Sequence, residues 1–231
     1  MTPTSPVLQY VCQIGAQKSR QEMIDGLDTM MSNILQQFGR RNGSLPRRII
    51  VFRDGVSQGQ FQAVLDIELQ AIKGAFELLG FEESHCKIAF VVCQKRHNTR
   101  FFHATPDGAI NVCPGLVVDG CGTDRGSITS ATLNDFYLNS HVAIQGTCKS
   151  TKYSLLHDEI AITTSELELL AYWSTYLYCR CNRSVSVATP AYYAHHASKR
   201  GATLFEAGCD NDKLIDISAL FTASATPMFF L

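Results

Sequence analysis

The sequence predicts an α/β fold in which a buried sheet is layered with helices. Two short runs, residues 49–52 and 88–93, are continuously apolar and contain β-branched side chains. Such runs are typical of strands that are covered on both faces. Each run follows a segment whose apolar residues recur in steps of three and four, as on an amphipathic helix. This alternation of helix and strand, with short links, indicates the fold class.

The first helix is predicted over residues 21–38, where apolar side chains recur in helical steps. Gly39, Asn42 and Gly43 end the pattern, because glycine and asparagine favour helix C-termini. Glu22 would lie in the first turn, where the helix dipole favours a carboxylate whatever its role. A structural and a catalytic role for Glu22 therefore both stay open.

The predicted strand at 49–52 ends at Asp54, and the one at 88–93 ends at the basic segment 94–100. Ligands of layered α/β folds gather at the carboxyl ends of strands. Asp54 therefore either faces a ligand or metal ion, or stabilises its own turn through its side chain. Between the two strands, apolar residues from Phe61 to Leu79 predict a second helix.

The second half of the chain has fewer predicted strands. Residues 103–134 lack periodicity and are rich in turn-forming residues, which predicts loops. A short strand is expected at 141–145. Ser165 and Glu168 form a capping-box pattern that opens a helix continuing to Leu177.

A last helix is predicted to begin near Pro190 and to run beyond Arg200. The small and polar residues 207–226 that follow it predict a mobile loop. His195 lies on this helix, where a histidine either packs as an ordinary residue or binds a ligand.

The composition favours a folded intracellular protein. Hydrophobic residues make up 45% of the 231 positions, and the formal net charge is −1. The nine cysteines include no Cys-x-x-Cys pair, which favours reduced thiols over disulfides or a zinc site. The N-terminus lacks the pattern of a signal peptide, and no run reaches the roughly 20 apolar residues of a membrane span. We expect a soluble protein of the cytoplasm or nucleus that does not bind membranes.

Basic residues recur in four groups, interleaved with aromatic and hydroxyl side chains. Such groups suit phosphates and stacked bases, although arginines at a helix end equally satisfy the helix dipole. Together they predict an anionic partner. The groups are Lys95, Arg96 and Arg100 after a strand, Lys149 and Lys152 in a loop, Arg180 and Arg183 at a helix end, and Lys199 and Arg200 near Tyr192 and Tyr193.

Seven strings of the chain resemble the PIWI domain of eukaryotic Argonaute proteins in order and spacing. They are residues 20–22, 48–61, 94–100, 135–138, 140–147, 183–186 and 190–195. The resemblance implies one PIWI domain over residues 1–231, with its core motifs at 10–200. It also implies an α/β, partial RNase H-like fold, a mixed sheet flanked by helices, in which the first strands are missing. Residues 8–14 resemble the third strand of the family.

The same resemblance implies a catalytic site that is incomplete. Cleaving members of the family use Asp, Glu, Asp and His to hold two Mg²⁺ ions, and Glu22, Asp54 and His195 match three of these. Asp54 and His195 would contact the metal. The first aspartate has no counterpart, since residues 1–18 contain no Asp or Glu. The chain is therefore expected to be a truncated PIWI domain that does not cleave RNA, and to use Mg²⁺ only if its site is completed.

The implied partner is RNA, held through the guide-strand backbone and the guide–target duplex in RNA-mediated gene silencing. Arg200 matches an arginine of the pocket for the guide's 5′ phosphate. The positions that resemble guide-backbone contacts are Lys95, Arg96, Arg100, Lys149, Arg180 and Tyr192.

Two alternatives stay open at this point. The first is a Mg²⁺-dependent endoribonuclease whose missing aspartate is supplied by upstream sequence. The second is an interaction module for silencing proteins. Leu35 and Phe38 match a partner-binding surface of the family, whereas Ser44 and Leu45 depart from it.

Overall fold

The computed structural model describes residues 9–18, 20–119, 134–208 and 228. The chain divides into two compact units. The first unit comprises Met1–Pro46, Ala71–Glu83 and Ala194–Leu231, and the second comprises Arg47–Gln70 and Ser84–Tyr193.

The second unit is built on a five-stranded mixed sheet. The strands within the described residues are β1 (Arg48–Asp54), β2 (Lys87–Gln94), β3 (Phe102–Thr105), β4 (Gly108–Asn111), β5 (Leu116–Asp119), β6 (Asn134–Asn139) and β7 (Thr151–Asp158). The order across the sheet is β1-β2-β7-β6-β5, and β3 and β4 form a separate hairpin. Strands β1 and β2 are parallel, whereas the other neighbours in the sheet are antiparallel. In the part of the chain that the structure describes, β1 is an edge strand.

Five α-helices accompany these strands, namely α1 (Leu27–Asn42), α2 (Phe61–Val64), α3 (Gln70–Glu77), α4 (Thr164–Ser174) and α5 (Thr189–Gly208). A π-helical turn, Leu65–Leu69, joins α2 to α3, so the predicted second helix is present but irregular. The mixed sheet with flanking helices confirms the predicted fold class. Within the described residues, no helix is long and apolar enough to span a membrane.

Strand β2 is the most buried strand of the second unit. Its residues from Ile88 to Cys93 have no exposed surface, as the continuous apolar run predicts. Tyr153 of β7 is also fully buried, and its ring stacks on Phe136 of β6 with centroids 5.1 Å apart. Its hydroxyl oxygen accepts a hydrogen bond from the backbone N–H of Ala188 at 2.9 Å, which ties the start of α5 to the sheet.

The first helix begins six residues later than predicted, at Leu27. Gly26 before it has φ 63°, a left-handed conformation through which a right-handed helix does not continue. Glu22 therefore precedes α1, and the helix dipole does not account for its position. The predicted end is confirmed, because Gly43 at φ 76° closes the helix with its N–H 2.8 Å from the oxygen of Gly39.

The predictions for strands in the second half were wrong. Residues 141–145 form a loop, whereas β4, β5 and all but the first residue of β3 lie inside the predicted loop region 103–134. The hypothesised strand at 8–14 is also absent over 9–14, and residue 8 lies outside the described part. Lys152 lies in β7 rather than in a loop, and its Nζ is 2.9 Å from an Asp135 oxygen.

The boundaries of the last two helices also differ from the predictions. The capping box that opens α4 is formed by Thr163 and Glu166, not by Ser165 and Glu168. Helix α4 ends at Ser174, so Arg180 and Arg183 do not terminate a helix but lie in the connection to α5. Helix α5 begins near Pro190 as predicted and extends past Arg200 to Gly208. The loop predicted at 207–226 therefore starts inside α5 and otherwise lies outside the described residues.

A buried ion pair holds the carboxyl end of β1 against the helix that follows it. Arg53 Nε and Nη2 donate to the two carboxylate oxygens of Glu68, each at 2.8 Å, and the Glu68 side chain is 1% exposed. Arg53 Nη1 also donates to the carbonyl oxygen of Asp54 at 2.5 Å. Two parallel hydrogen bonds fix the guanidinium plane, so the pair sets the backbone position of Asp54.

Replacement of Glu68 by alanine should destabilise the chain strongly. Glu68→Ala leaves the Arg53 guanidinium without its buried counter-charge, which costs about 3–5 kcal/mol in the free energy of unfolding. Asp66→Ala is the matched control on the same turn, because Asp66 is exposed and accepts a hydrogen bond from the Gln62 amide at 2.9 Å, so its loss should cost within about 0.5 kcal/mol. Urea denaturation curves measure both changes. Equal effects of the two variants would contradict a stabilising role of the pair.

Candidate nucleic-acid interface

Several strand ends of the second unit meet at one edge of the sheet. Asp54 at the end of β1 is paired with Cys93 of β2, and Gln94 at the end of β2 is paired with Lys152 near the start of β7. Leu138 near the end of β6 is paired with Thr151. The connections that follow β1, β2 and β6 and the one that precedes β7 therefore collect at this edge, which is named here the cationic edge.

Lys95 is a half-buried cation of the cationic edge. Its Nζ donates a hydrogen bond to Ser186 Oγ. Burial lowers the pKa of Lys95, the charges of Asp54 and Cys148 oppose that effect, and Lys149 adds to it. Asp54 and Lys149 are thus both electrostatic neighbours of Lys95, as the strand pairing requires.

Segment 94–100 folds onto the sheet through its own hydrogen bonds. Arg100 Nη1 donates to the carbonyl oxygens of His97 and Thr99, at 2.7 and 2.6 Å. His97 Nε2 donates to the oxygen of Ser150 at 2.8 Å, and its ring meets that of Tyr137 edge-on with centroids 5.1 Å apart. The segment is therefore held in one conformation without a ligand, while the side chain of Arg96 within it is exposed.

Two of the predicted RNA-contacting side chains are neighbours near the start of α5. Arg180 is exposed in the turn between α4 and α5, and Tyr192 is half-buried on α5. The Tyr192 ring meets Tyr178 edge-on with centroids 4.8 Å apart. Burial raises the pKa of Tyr192, the negative charges of Tyr178 and Cys181 add to this, and Arg180 lowers it, which places Arg180 within electrostatic reach of the hydroxyl.

The residues that the sequence did not single out are mainly supports for these cations. Ser186 holds Lys95, and Thr151 Oγ1 in turn donates to the Ser186 carbonyl oxygen at 2.5 Å. His97 ties segment 94–100 to the sheet. Both Ser186 and His97 lie inside strings that were identified from the sequence, but nothing in a linear string distinguishes a supporting residue from a contacting one.

The three predicted catalytic residues fall in different units. Glu22 is exposed ahead of α1, and His195 is exposed on α5, both in the first unit. Asp54 is half-buried at the end of β1 in the second unit. Their convergence into one site stays a prediction. Arg200 is likewise exposed on α5 in the first unit, and its part in a phosphate pocket also stays a prediction.

The described residues do not fit a Mg²⁺ site. No group of three or more His, Cys, Asp or Glu side chains within them lies close enough together to hold a metal ion. Mg²⁺ requires near-octahedral oxygen ligands and usually one or two carboxylates beside phosphates and waters. At the cationic edge, Asp54 has the Lys95 ammonium as an electrostatic neighbour, which competes for the same negative charge. We therefore derive no catalytic step through a metal.

A shallow pocket lies in the first unit beside the end of α1. It is lined by Gln36, Gly39, Arg40, Gly43, Ser44, Leu45, Leu79 and Phe81. Phe38 is 39% exposed, whereas Leu35 is only 1% exposed and cannot present its side chain to a partner. Of the two residues that matched a partner-binding surface, only Phe38 is accessible.

Comparison with known proteins identifies the domain. Residues 4–206 match the family model described as the Piwi domain. Protein argonaute 7 of Arabidopsis thaliana is 42% identical over 204 residues, which cover 88% of this chain and 20% of that protein. The chain thus spans about a fifth of the length of this curated relative.

Two solved structures share the fold at lower identity. The C-terminal lobe of a budding yeast Argonaute superposes with a TM-score of 0.69 at 31% identity, covering 86% of this chain and 40% of that one. The Kluyveromyces polysporus Argonaute solved with a guide RNA has a TM-score of 0.68 at 30% identity, covering 82% and 22%. The mixed sheet and its helices are those of an Argonaute C-terminal lobe. The chain belongs to the Piwi domain family.

Stability should decrease in mild acid because of two histidines near the cationic edge. Burial lowers the pKa of His97 and of His141 below the ordinary value of 6.5. As the pH falls below about 6.5, these histidines become protonated in the unfolded chain but stay neutral in the folded chain. The free energy of unfolding therefore decreases. We expect a smaller decrease between about pH 7.5 and pH 5.5 in the double variant His97→Gln, His141→Gln.

Urea denaturation at both pH values measures this difference. The variant His103→Gln is the control, because His103 is exposed on β3 and should leave the acid-induced decrease unchanged. An equal decrease in the wild-type chain and the double variant would contradict the assignment to His97 and His141.

Proposed function

We propose that the chain binds RNA in gene silencing, in the cytoplasm or nucleus, and that it does not cleave RNA by itself. Its ligand would be a small-RNA guide and the guide–target duplex, held through the phosphate backbone. The observation that carries this proposal is the cationic edge, where exposed Arg96 and Lys149 flank the half-buried Lys95.

The geometry of this edge favours phosphate over a neutral ligand. Lysine and arginine side chains bind phosphate oxygens and carry no information about base sequence. Segment 94–100 is fixed by its own hydrogen bonds, so little conformational entropy needs to be lost when a backbone is bound. Arg180 beside the half-buried ring of Tyr192 adds a cation and an aromatic group, a combination suited to single-stranded nucleic acid.

The family relationship supports the same ligand. The Kluyveromyces polysporus Argonaute, 30% identical to this chain, was solved with a guide RNA. Because this chain covers 22% of that protein, the remaining contacts of the relative have no counterpart to compare here. We therefore expect weaker binding than a whole Argonaute achieves.

The absence of cleavage is proposed from the carboxylates of these 231 residues. Cleavage by two metal ions needs several carboxylates around the ions. Residues 1–18 contain no Asp or Glu, and Asp54 has Lys95 as an electrostatic neighbour. A longer polypeptide that supplies the missing aspartate would instead be a Mg²⁺-dependent endoribonuclease. Silencing proteins stay an alternative class of partner, for which Phe38 is exposed on α1 whereas Ser44 and Leu45 depart from the family's surface.

Reversal of three exposed cations should weaken RNA binding regardless of sequence. The triple variant Arg96→Glu, Lys149→Glu, Arg180→Glu removes three proposed phosphate contacts while it spares the internal hydrogen bonds of Lys95 and Arg100. The slope of log affinity against log salt should become shallower by about 2, since each contact on a single strand contributes roughly 0.7. Fluorescence anisotropy with two RNAs of unrelated sequence measures the slope.

A second triple variant distinguishes the loss of contacts at the cationic edge from the effect of the change in net charge on RNA binding. Arg47→Glu, Arg48→Glu, Lys87→Glu makes the same charge change with exposed residues at the opposite, amino ends of β1 and β2. It should lower the affinity only slightly, through long-range attraction. If both triple variants lose affinity equally, the cationic edge is not the binding surface.

The isolated 231-residue chain should not cut a target RNA. Loss of a positioned catalytic contact commonly reduces rates by about 10²–10³, and the missing first aspartate is such a contact. A guide-loaded assay with Mg²⁺ or Mn²⁺ should give the same background for the wild-type chain and for Asp54→Ala. Anisotropy on the same samples verifies that RNA is bound. Site-specific products from the wild-type chain alone would overturn the proposal of inactivity.

A further inference from the structure

Two exposed cysteines lie two positions apart in the turn between α4 and α5. The N–H of Cys181 donates to the carbonyl oxygen of Tyr178 at 3.3 Å, which closes a turn around Cys179 and Arg180. Both thiols, of Cys179 and Cys181, are exposed. Two contacts attach the turn to α5. Buried Tyr178 packs against Tyr192, and the N–H of Cys179 donates to the Tyr193 hydroxyl at 2.9 Å.

The turn is compatible with a bond between the two thiols. Consecutive Cα atoms are about 3.8 Å apart, so a right-angle bend at the middle residue would separate the outer two Cα atoms by about 5.4 Å. Disulfides join Cα atoms that are about 4.4–6.8 Å apart. Formation of the bond needs rotation of the two side chains, a change in the backbone angles of Arg180, and the loss of one weak contact, the Arg183 N–H to Cys181 Sγ at 3.4 Å. The anchored ends of the turn can stay in place.

We propose that Cys179 and Cys181 form a thiol modification site, at which hydrogen peroxide oxidises the pair to an intramolecular disulfide. One thiolate attacks the peroxide oxygen, which releases water and gives a sulfenic acid. The other thiol then attacks that sulfur, the S–S bond forms, and the hydroxyl leaves as a second water. The peroxide is reduced by two electrons and the thiol pair is oxidised by two, and an exogenous dithiol reverses the reaction.

Accessibility distinguishes this pair from the other cysteines that the structure describes. Cys86, Cys93 and Cys148 are buried, and burial raises the pKa of each thiol. Burial also raises the pKa of Cys12, to about 11. Cys113 is exposed but has no cysteine within two positions in the sequence. A dilute hydroperoxide should therefore convert the 179/181 pair to a disulfide while Cys113 reacts as a single thiol.

The modification has a consequence that rests on the proposed function. Arg180 is the residue between the two sulfurs, and a ring closed across it changes its backbone angles. Its guanidinium would leave the neighbourhood of the Tyr192 hydroxyl, to which it is electrostatically coupled in the reduced chain. Oxidation should therefore remove about one phosphate contact and make the salt slope of RNA binding shallower by up to about 1.

Peptide mapping tests the site without any RNA. Trypsin cleaves after Arg180 and after Arg183, so it separates the two cysteines into different peptides. After treatment of the full chain with hydrogen peroxide and alkylation of free thiols, the peptide Cys181-Asn182-Arg183 should be recovered joined to the peptide that ends at Arg180. Dithiothreitol should separate the two. Cys179→Ser and Cys181→Ser should each abolish the joined species, whereas Cys113→Ser should leave it unchanged.

The outcomes decide each part of the proposal separately. Oxidation of Cys113 without any joined peptide would overturn the modification site. A joined peptide together with unchanged RNA affinity, in a chain that binds RNA when reduced, would overturn its effect on Arg180. A chain that does not bind RNA when reduced would contradict the proposed function, and the peptide map would still decide whether the disulfide forms.

Discussion

The enclosure of β2 is the constraint on which the second unit depends. Because the strand from Ile88 to Cys93 has no exposed surface, it must be covered on both faces and paired on both sides. Its neighbours run in opposite directions relative to it, β1 parallel and β7 antiparallel. This mixed pairing brings the end of β1, the end of β2 and the start of β7 to one edge. Cations carried by two distant parts of the chain, residues 94–100 and 149–152, can therefore collect there.

The segment that leads into α5 is attached to this edge by polar contacts rather than by apolar packing alone. Ser140 Oγ donates to the oxygen of Val185 at 2.6 Å, and Thr151 Oγ1 donates to the oxygen of Ser186. Tyr153 accepts from the N–H of Ala188. A buried hydroxyl needs a partner, and here each partner is a backbone group of the incoming segment. Ser186 is thereby fixed where its own hydroxyl can meet Lys95.

The sequence-based predictions were accurate where the buried side chains are apolar and inaccurate where they are polar. Strands β1 and β2 were predictable because their side chains form continuous apolar runs. Strand β7 was not, since its buried positions include Thr151 and Lys152, whose polar groups are satisfied only by residues distant in sequence. The false strand at 141–145 shows the converse, because fully exposed Ile144 gives an apolar signal without burial. The cations of the site were identifiable through the family strings, whereas their supports needed coordinates.

The electrostatics of the cationic edge also bear on the role of Asp54. Burial disfavours the charged form of Lys95, and Asp54 is the largest of the charges that oppose this effect. A carboxylate in that position helps to keep the ammonium protonated, and a protonated ammonium is what a phosphate oxygen requires. A metal ion would instead need the Asp54 carboxylate as a ligand, and the Lys95 ammonium would repel it. With Lys95 as an electrostatic neighbour of Asp54, the edge is better suited to an anion than to a cation, which is the requirement of the RNA binding proposed above.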